Sequence, residues 1–415
     1  MSGLKGIKTV RDFAVKDKVV FLRLDLNVPL SKGQITDDTR IVESLPTIQF
    51  LREAGAKLVL ASHLGRPKSA DDNQFSLEPV AKRLSELLST AGQTVEVILL
   101  EEPQSEAAKS LTLNLRKNQI LLLENLRFDP GETKNSLELA QSIASYCDIY
   151  INDAFGASHR AHASIHALPE LMTQKGIGFL IEKEIRMLDQ LLINPKPPYM
   201  AVLGGSKVSD KIPVIEKLID VVDGFIIGGA MAYTFLKAQG HAVGKSLVET
   251  DKIKYAKEML ERIQARNKTI LLPVDHMVTL GITDTVNVQT TKDVQIPENY
   301  LAVDIGPQTI KNYSVALSEA GTIFWNGPMG VFETPAFSKG TFAVAQVIAE
   351  NKGMTIVGGG DSAAAAKLSG YAAQMTHIST GGGASLEYLQ GDRLPGLEIL
   401  RARKTSETSS APVSL

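Results

Sequence analysis

Two lysines four residues apart follow a pair of glycines in Gly204-Gly205-Ser206-Lys207-Val208-Ser209-Asp210-Lys211, and the apolar run Tyr199-Met200-Ala201-Val202-Leu203 feeds directly into them. The pattern predicts a strand, a glycine turn and a helix start that presents both ammonium groups on one face. Like charges so placed repel, which suits an anion held between them. A helix start adds free backbone N–H donors and the positive end of a dipole. Phosphate is the chemistry this suggests. The segment lacks the G-x-x-x-x-G-K-[ST] order of a Walker loop, and the plain alternative is a tight turn followed by a solvated helix face.

A second set of residues is basic and lies in the first half. Arg23-Leu24-Asp25-Leu26-Asn27, Ser62-His63-Leu64-Gly65-Arg66-Pro67, Glu124-Asn125-Leu126-Arg127-Phe128, and Asn152-Asp153-Ala154-Phe155-Gly156 with His159-Arg160-Ala161-His162 each follow a strand-like run. Open parallel sheets bind ligands at the carboxyl ends of their strands. His63, Arg66, Arg127, Arg160 and His162 are therefore expected to converge on one face, joined by Arg40. The planar guanidinium fork grips carboxylate and phosphate oxygens bidentately, so the cluster suits a small, multiply anionic substrate. For any single arginine a structural ion pair is the competing explanation.

A third set is glycine-rich. Gly204-Gly205, Gly228-Gly229-Ala230, Gly358-Gly359-Gly360-Asp361-Ser362 and Gly381-Gly382-Gly383-Ala384-Ser385 follow strand-like runs, as does Trp325-Asn326-Gly327-Pro328-Met329-Gly330-Val331-Phe332-Glu333 with its lone acid. Glycine permits positive φ and close backbone approach, so phosphates and an adenine ring can lie against bare main chain. Asp361, at a loop-to-helix junction, could hold magnesium through phosphate oxygens, or could simply cap the helix. No His/Cys cluster has zinc spacing.

The elements that must position these residues are short apolar runs alternating with longer helical stretches. Strands are predicted at 19–22, 57–61, 95–100, 120–123 and 149–151, then at 200–203, 224–227, 269–272, 323–325, 355–357 and 376–378. Near-continuous apolar strands alternating with helices predict doubly wound parallel sheets, buried on both faces. Residues 181–194 carry an apolar helical stripe and end at Asn194-Pro195-Lys196-Pro197-Pro198, a hard stop. This predicts an α/β fold of two Rossmann-like lobes, 1–180 and 195–394, joined by a long helix, 181–194. The Ser/Thr-rich end from Lys404 to Leu415 is expected to be largely disordered.

Composition sets the bounds. A chain of 415 residues suits two domains, and a net charge of -2 gives no reason to expect nucleic acid or a membrane surface as partner. A single cysteine, Cys147, excludes an intrachain disulfide and fits a reducing compartment. Its apolar neighbours suggest a buried structural thiol. The amino terminus lacks a signal-peptide pattern, and the longest apolar run, Gly224 to Leu236, is too short to span a bilayer. A soluble, cytoplasmic protein is expected.

Taken together, these motifs resemble phosphoglycerate kinase, from about Val19 to Gly396. The resemblance rests on Arg23 to Pro29, Ser62 to Pro67, Leu123 to Phe128, Asn152 to Gly156, His159 to His162, Gly204 to Lys211, Trp325 to Glu333, Gly358 to Asp361 and Ser379 to Ser385, in that order. It implies reversible phosphoryl transfer between ATP and 3-phosphoglycerate, giving ADP and 1,3-bisphosphoglycerate, with Mg2+, by a monomer working in glycolysis and gluconeogenesis. It assigns the amino lobe to the glycerate, through Asp25, Asn27, Arg40, His63, Arg66, Arg127 and Arg160. Arg40 is placed by Gln34-Ile35-Thr36-Asp37-Asp38-Thr39-Arg40-Ile41. The carboxyl lobe takes the nucleotide through Gly205, Lys211, Gly229, Asn326, Pro328, Glu333 (at the ribose), Gly359, Gly360, Asp361 (also the magnesium ligand) and Ser362. Arg40, Lys207 and Gly382 fall to the phosphoryl in flight, with Lys207 and Lys211 as the paired active-site lysines. The resemblance also implies that residues 395–415 return to the amino lobe, although the tail after Gly396 is longer than usual. Hinge closure is expected about the ends of helix 181–194 and the Gly381–Gly383 loop, with Glu184 and His377 pairing across the lobes. The competing readings are an NAD-dependent two-domain dehydrogenase, which needs a G-x-G-x-x-G turn not found after a strand here, and a non-catalytic nucleotide-binding protein, which needs no arginine cluster.

Overall fold

In the strand Val19–Leu24 every residue is buried, including the charged Arg23. A run of this kind is stable only with helices over both faces of its sheet, and that is the architecture found. The structure is a computed structural model and describes residues 3–69, 72–90 and 94–402. The disorder expected for Lys404–Leu415 lies outside the described residues.

The chain divides into two compact units, one running to Lys183 and resuming at Leu394, the other spanning Glu184–Arg393. Each is built on a six-stranded, all-parallel sheet. In the first the spatial order is Glu96–Leu100, Gln119–Leu123, Lys57–Ala61, Val19–Leu24, Ile149–Asp153, Lys175–Ile177. In the second it is Thr269–Leu271, Gly224–Ile227, Tyr199–Leu203, Thr322–Asn326, Met354–Val357, His377–Ile378. Taking each sheet's strands in chain order, the second runs 3-2-1-4-5-6, the doubly wound arrangement, with the order reversing between Tyr199–Leu203 and Thr322–Asn326. In the first sheet it reverses between Val19–Leu24 and Ile149–Asp153. Crevices for ligands open at such switch points, beyond the carboxyl ends of the strands.

Three features lie outside the sequence expectations. The edge strand Lys175–Ile177 has too little apolar sequence to read as a strand. A three-stranded antiparallel sheet, Gln289–Thr290, His276–Thr279 and Leu301–Ile305, is inserted in the second unit. A two-stranded hairpin, Leu30–Ser31 with Gln34–Ile35, precedes the helix Thr39–Glu53. These strands are short and partly exposed, so their hydrophobic pattern is weak.

The helix expected at 181–194 is found as Phe179–Ile193. Its Ile181, Ile185, Leu188 and Leu191 are buried. From Leu394 the chain packs within the first unit. The Gly396 amide donates to the Ser158 carbonyl (2.9 Å), Asn152 Nδ2 donates to the Gly396 carbonyl (3.2 Å), and Leu394, Leu397 and Leu400 are buried. Cys147 is half-buried, and burial pushes its thiol pKa up. No described helix is long and apolar enough to cross a membrane.

Candidate functional site

In the first unit the loops after four parallel strands close on one another through their own polar groups. Asp25 follows Val19–Leu24, is 8% exposed, and pairs with Arg40 at 2.6 Å. Arg40 reaches it from the first turn of helix Thr39–Glu53, not from a strand end. Asn27 Oδ1 accepts the Gly65 amide (2.8 Å), and the Arg127 guanidinium donates to the Gly65 carbonyl (2.7 Å). Asn125 braces this turn, its side chain taking the Leu64 amide (3.1 Å) and giving to the Leu64 carbonyl (2.7 Å). His63 is buried beside Asp25, Arg23, Arg127 and Arg40. Arg160 donates to His159 (3.0 Å) and lies close enough to Arg127 to depress its pKa. Arg66 is exposed, and its charge also reaches Arg127.

Electrostatics give this cluster a purpose. Burial, then the surrounding arginines, hold His63 well below its ordinary value, and burial with Arg127 and other cations brings His162 down to about 4. Both imidazoles are thus neutral near pH 7. Burial opposes ionisation of Asp25, yet Arg40, His63 and Arg23 keep its pKa below the usual carboxylate range. Burial and its neighbours also lower the pKa of Arg127, whose Nε is buried with no hydrogen-bond partner. A buried cationic donor left unmatched is costly, and an anion supplied from outside would satisfy it.

Sequence reasoning missed the support beneath. Arg23 has no solvent exposure; its Nε donates to Ser164 Oγ (2.8 Å), its guanidinium reaches the Leu24 carbonyl, and Nη2 lies 3.3 Å from His63 Nδ1. Glu132, equally buried, accepts from the Ser164 hydroxyl (2.7 Å) and amide (3.0 Å). The one visible signal was an arginine inside an apolar strand.

In the second unit the glycine loops interlock at the switch point. The Gly204 and Gly205 amides donate to the carbonyls of Asn326 (2.9 Å) and Pro328 (3.0 Å), and the Gly229 amide to that of Met329 (2.9 Å). Gly229 has φ +64°, and a Cβ there would sit 2.5 Å from Gly205 N. Asn326 Nδ2 donates to the Gly358 carbonyl (2.6 Å), and Ser362 Oγ accepts the Gly327 amide (2.6 Å). Thr341, not singled out in the sequence, accepts the amides of Met329 (3.1 Å) and Gly330 (3.2 Å). Glu333 is exposed near the end of this loop.

The lysines are arranged differently from expectation. The helix is Ile212–Leu218, with Lys211 at its N-cap, so Lys207 and Lys211 lie in the preceding turn and not on a helical face. Glu249 holds that turn by accepting the Ser209 amide (3.0 Å) and hydroxyl (2.6 Å), and Pro213 favours a helix start just beyond it. Lys207 is exposed. The Lys211 ammonium donates to Asn326 Oδ1, and burial lowers its pKa against the pull of Asp210 and Asp361.

Asp361 is exposed in the first turn of helix Gly360–Leu368, whose N-cap is Gly359 at φ +93°. The capping alternative for Asp361 therefore does not apply. Among the described residues no group of three His, Cys, Asp or Glu is arranged to hold a metal. A lone carboxylate fits magnesium that is bound mainly by phosphates and water. Gly382 is the N-cap of helix Gly383–Gln390 at φ +43°. Behind it Glu184 Oε1 accepts the Thr380 amide (2.8 Å) and hydroxyl (2.9 Å), and Oε2 lies 2.8 Å from His377 Nε2. Glu184 and His377 do pair, but both belong to the second unit, so the contact is not one across the units.

Comparison with known proteins agrees with this arrangement. The family model described as "Phosphoglycerate kinase" matches residues 10–392. A phosphoglycerate kinase of Bdellovibrio bacteriovorus is 72% identical over 97% of this chain and 99% of its own length. One from Anaeromyxobacter is 49% identical, over 95% and 99%. The solved structure of phosphoglycerate kinase from Coxiella burnetii superposes with a TM-score of 0.84 at 41% identity, covering 95% of this chain and 98% of that one. That from Pyrococcus horikoshii gives 0.81 at 34% identity, over 94% and 98%. The motifs, the two parallel sheets and these matches lead to one conclusion: this chain belongs to the phosphoglycerate kinase family.

Proposed function

We propose that the chain catalyses reversible phosphoryl transfer between ATP and the carboxylate of 3-phosphoglycerate, as a cytoplasmic monomer that closes about a hinge. As a member of its family it is a phosphotransferase. A carboxylate oxygen attacks the γ-phosphorus while the bond to the β–γ bridging oxygen breaks, leaving ADP and an acyl phosphate. A carboxylate needs no general base, so the protein's task is alignment and charge compensation.

The observation that carries the reading is the basic cluster of the first unit, with a buried, unmatched Arg127 Nε. Arg66, Arg127, Arg160 and neutral His63 hold the phosphate and carboxylate of the substrate, and Asp25 and Asn27 bind its glycerate part. Arg40 and Lys207 neutralise the equatorial oxygens of the group in flight, and the amides at Gly382 point N–H donors at it. Lys211, Gly205, Gly229, Asn326, Pro328, Gly359, Gly360 and Ser362 cradle the nucleotide phosphates, with Glu333 at the ribose. Asp361, with the nucleotide phosphates, would hold magnesium, which would supply charge neutralisation there. A coupled assay with 3-phosphoglycerate and ATP tests this: ADP formation that does not depend on 3-phosphoglycerate would refute it.

A further inference from the structure

Ser209 stands midway between Lys207 and Lys211, and one distant side chain grips it at two points. Glu249, 40 residues on, accepts the Ser209 amide on Oε2 (3.0 Å) and the Ser209 hydroxyl on Oε1 (2.6 Å). Glu249 is half-buried and occupies the N-cap position of the short turn Thr250–Lys252, yet its side chain makes no capping bond there. An acid at such a position would ordinarily serve the helix it precedes. Here both oxygens are turned to Ser209 instead.

The gripping residue is itself fixed. The Glu249 amide donates to Thr234 Oγ1 (3.1 Å), and Thr234 is buried in helix Met231–Ala238. That helix starts directly after Gly228-Gly229-Ala230, and its Met231 amide donates to the Gly205 carbonyl (3.1 Å). Thr234 and Glu249 thus register the lysine turn against the glycine loops beside it. Val208, fully buried, holds the turn from below, and its carbonyl accepts the Lys211 amide (2.9 Å).

Charge does not explain the acid. A carboxylate near a phosphate site repels the phosphate, and the carboxylates whose charge reaches Lys211 are Asp210 and Asp361. Lys211 also has an anchor of its own, since its ammonium donates to Asn326 Oδ1. Lys207 is exposed, so its placement depends on the backbone of the turn.

We propose that Glu249 is a positioning residue for Lys207 in phosphoryl transfer, a role that rests on the reaction proposed above. Acting through Ser209, it fixes backbone that would otherwise be ordered only when substrate binds, and so holds Lys207 ready for the group in flight. A misplacement of about 1 Å in such a group costs roughly 100-fold in rate.

Steady-state kinetics of the full chain with ATP and 3-phosphoglycerate test this. A parent without 3-phosphoglycerate-dependent ADP formation refutes the proposed reaction, and this role with it. In an active parent, Glu249→Ala is expected to lower kcat at least about tenfold with KM for 3-phosphoglycerate unchanged. Glu249→Gln, whose oxygen accepts the Ser209 amide and whose NH2 donates to the hydroxyl, restores most of kcat. The Glu249→Ala/Lys207→Ala double variant is little slower than Lys207→Ala alone, because both changes remove one function. Should Glu249→Ala fail to fold, Ser209→Ala, which deletes one of the two contacts, takes its place in the same cycle, with a smaller loss of kcat expected. Unchanged kcat in the folded variant, or losses that multiply in the double variant, overturns the proposal while leaving the reaction itself standing.

Discussion

Arg23 and Glu132 are charged side chains with no solvent exposure, joined through Ser164. Neither reaches solvent, and both sit beneath His63 and the basic cluster. Removing one partner of a buried charged network leaves the other uncompensated, at about 3–5 kcal/mol. Glu132→Ala is expected to lower stability by that amount, which chemical denaturation would register. Arg40 and Lys207 call for a different measurement. In the proposed mechanism each contacts the migrating group, and losing one such contact typically slows chemistry roughly 100- to 1000-fold. Arg40→Ala and Lys207→Ala should therefore lose most of kcat with unchanged circular dichroism, and near-normal kcat in either would remove it from the proposed role. Lys207 was conspicuous as a lysine just after an apolar run and a glycine pair, whereas Arg40 follows no apolar run and was reached only through the family resemblance. The Arg23–Glu132 network was not legible, since its partners are brought together only by folding.

Loops and their supporting strands make the next level. Gly229 sits where a Cβ would meet Gly205 N at 2.5 Å and the Pro328 carbonyl oxygen at 2.9 Å. Gly229→Ala must push these loops apart, and nucleotide affinity, read by titration with Mg-ADP, is expected to fall at least about tenfold, the equivalent of roughly 1.4 kcal/mol. The inserted antiparallel sheet also serves this region. Its Asp304 is fully buried, accepts the Gly340 amide (2.6 Å), and is pushed by burial up to about 7 from 3.8. A raised carboxyl pKa means the folded state holds a proton that the unfolded chain releases. The associated stability is full below about pH 4 and is lost as pH rises through about 7. Asp153, also pushed up to about 7 by burial, behaves likewise. Asp304→Asn should flatten the fall in urea midpoint between pH 5 and 8, removing a slope on the order of 2–3 kcal/mol. An unchanged slope would show that Asp304 is ionised in the fold.

At the scale of the whole molecule, the carboxyl-terminal segment completes the first unit. Leu394, Leu397 and Leu400 are each buried, and the Ala402 amide donates to the Gly6 carbonyl (2.9 Å). Burying a leucine is worth about 1.5–3 kcal/mol. A chain ended at Arg393 should thus lose several kcal/mol from the first unit while the second unfolds as before, a difference that hydrogen exchange resolves by unit. In the proposed mechanism glycerate binds one unit and nucleotide the other, and the two must meet for direct transfer. Small-angle scattering is therefore expected to show a smaller radius of gyration with both substrates than with either alone, and no compaction would count against hinge closure.

The sequence by itself determined most of the strands and the chemistry at their ends. Buried parallel strands are nearly unbroken apolar runs, and charged or glycine-rich residues must begin where burial stops. It could not determine strand order, because hydrogen-bond partners along a sheet leave no trace in a strand's own pattern; the two sheets differ in order although their sequences read alike. Nor could it fix where the helix after Gly204–Gly205 begins. Ser209 is held by Glu249, 40 residues away, and that contact keeps Lys207 and Lys211 in a turn. Local propensity sets the elements, whereas contacts between distant residues decide which groups share a site, and only the tertiary structure contains those contacts.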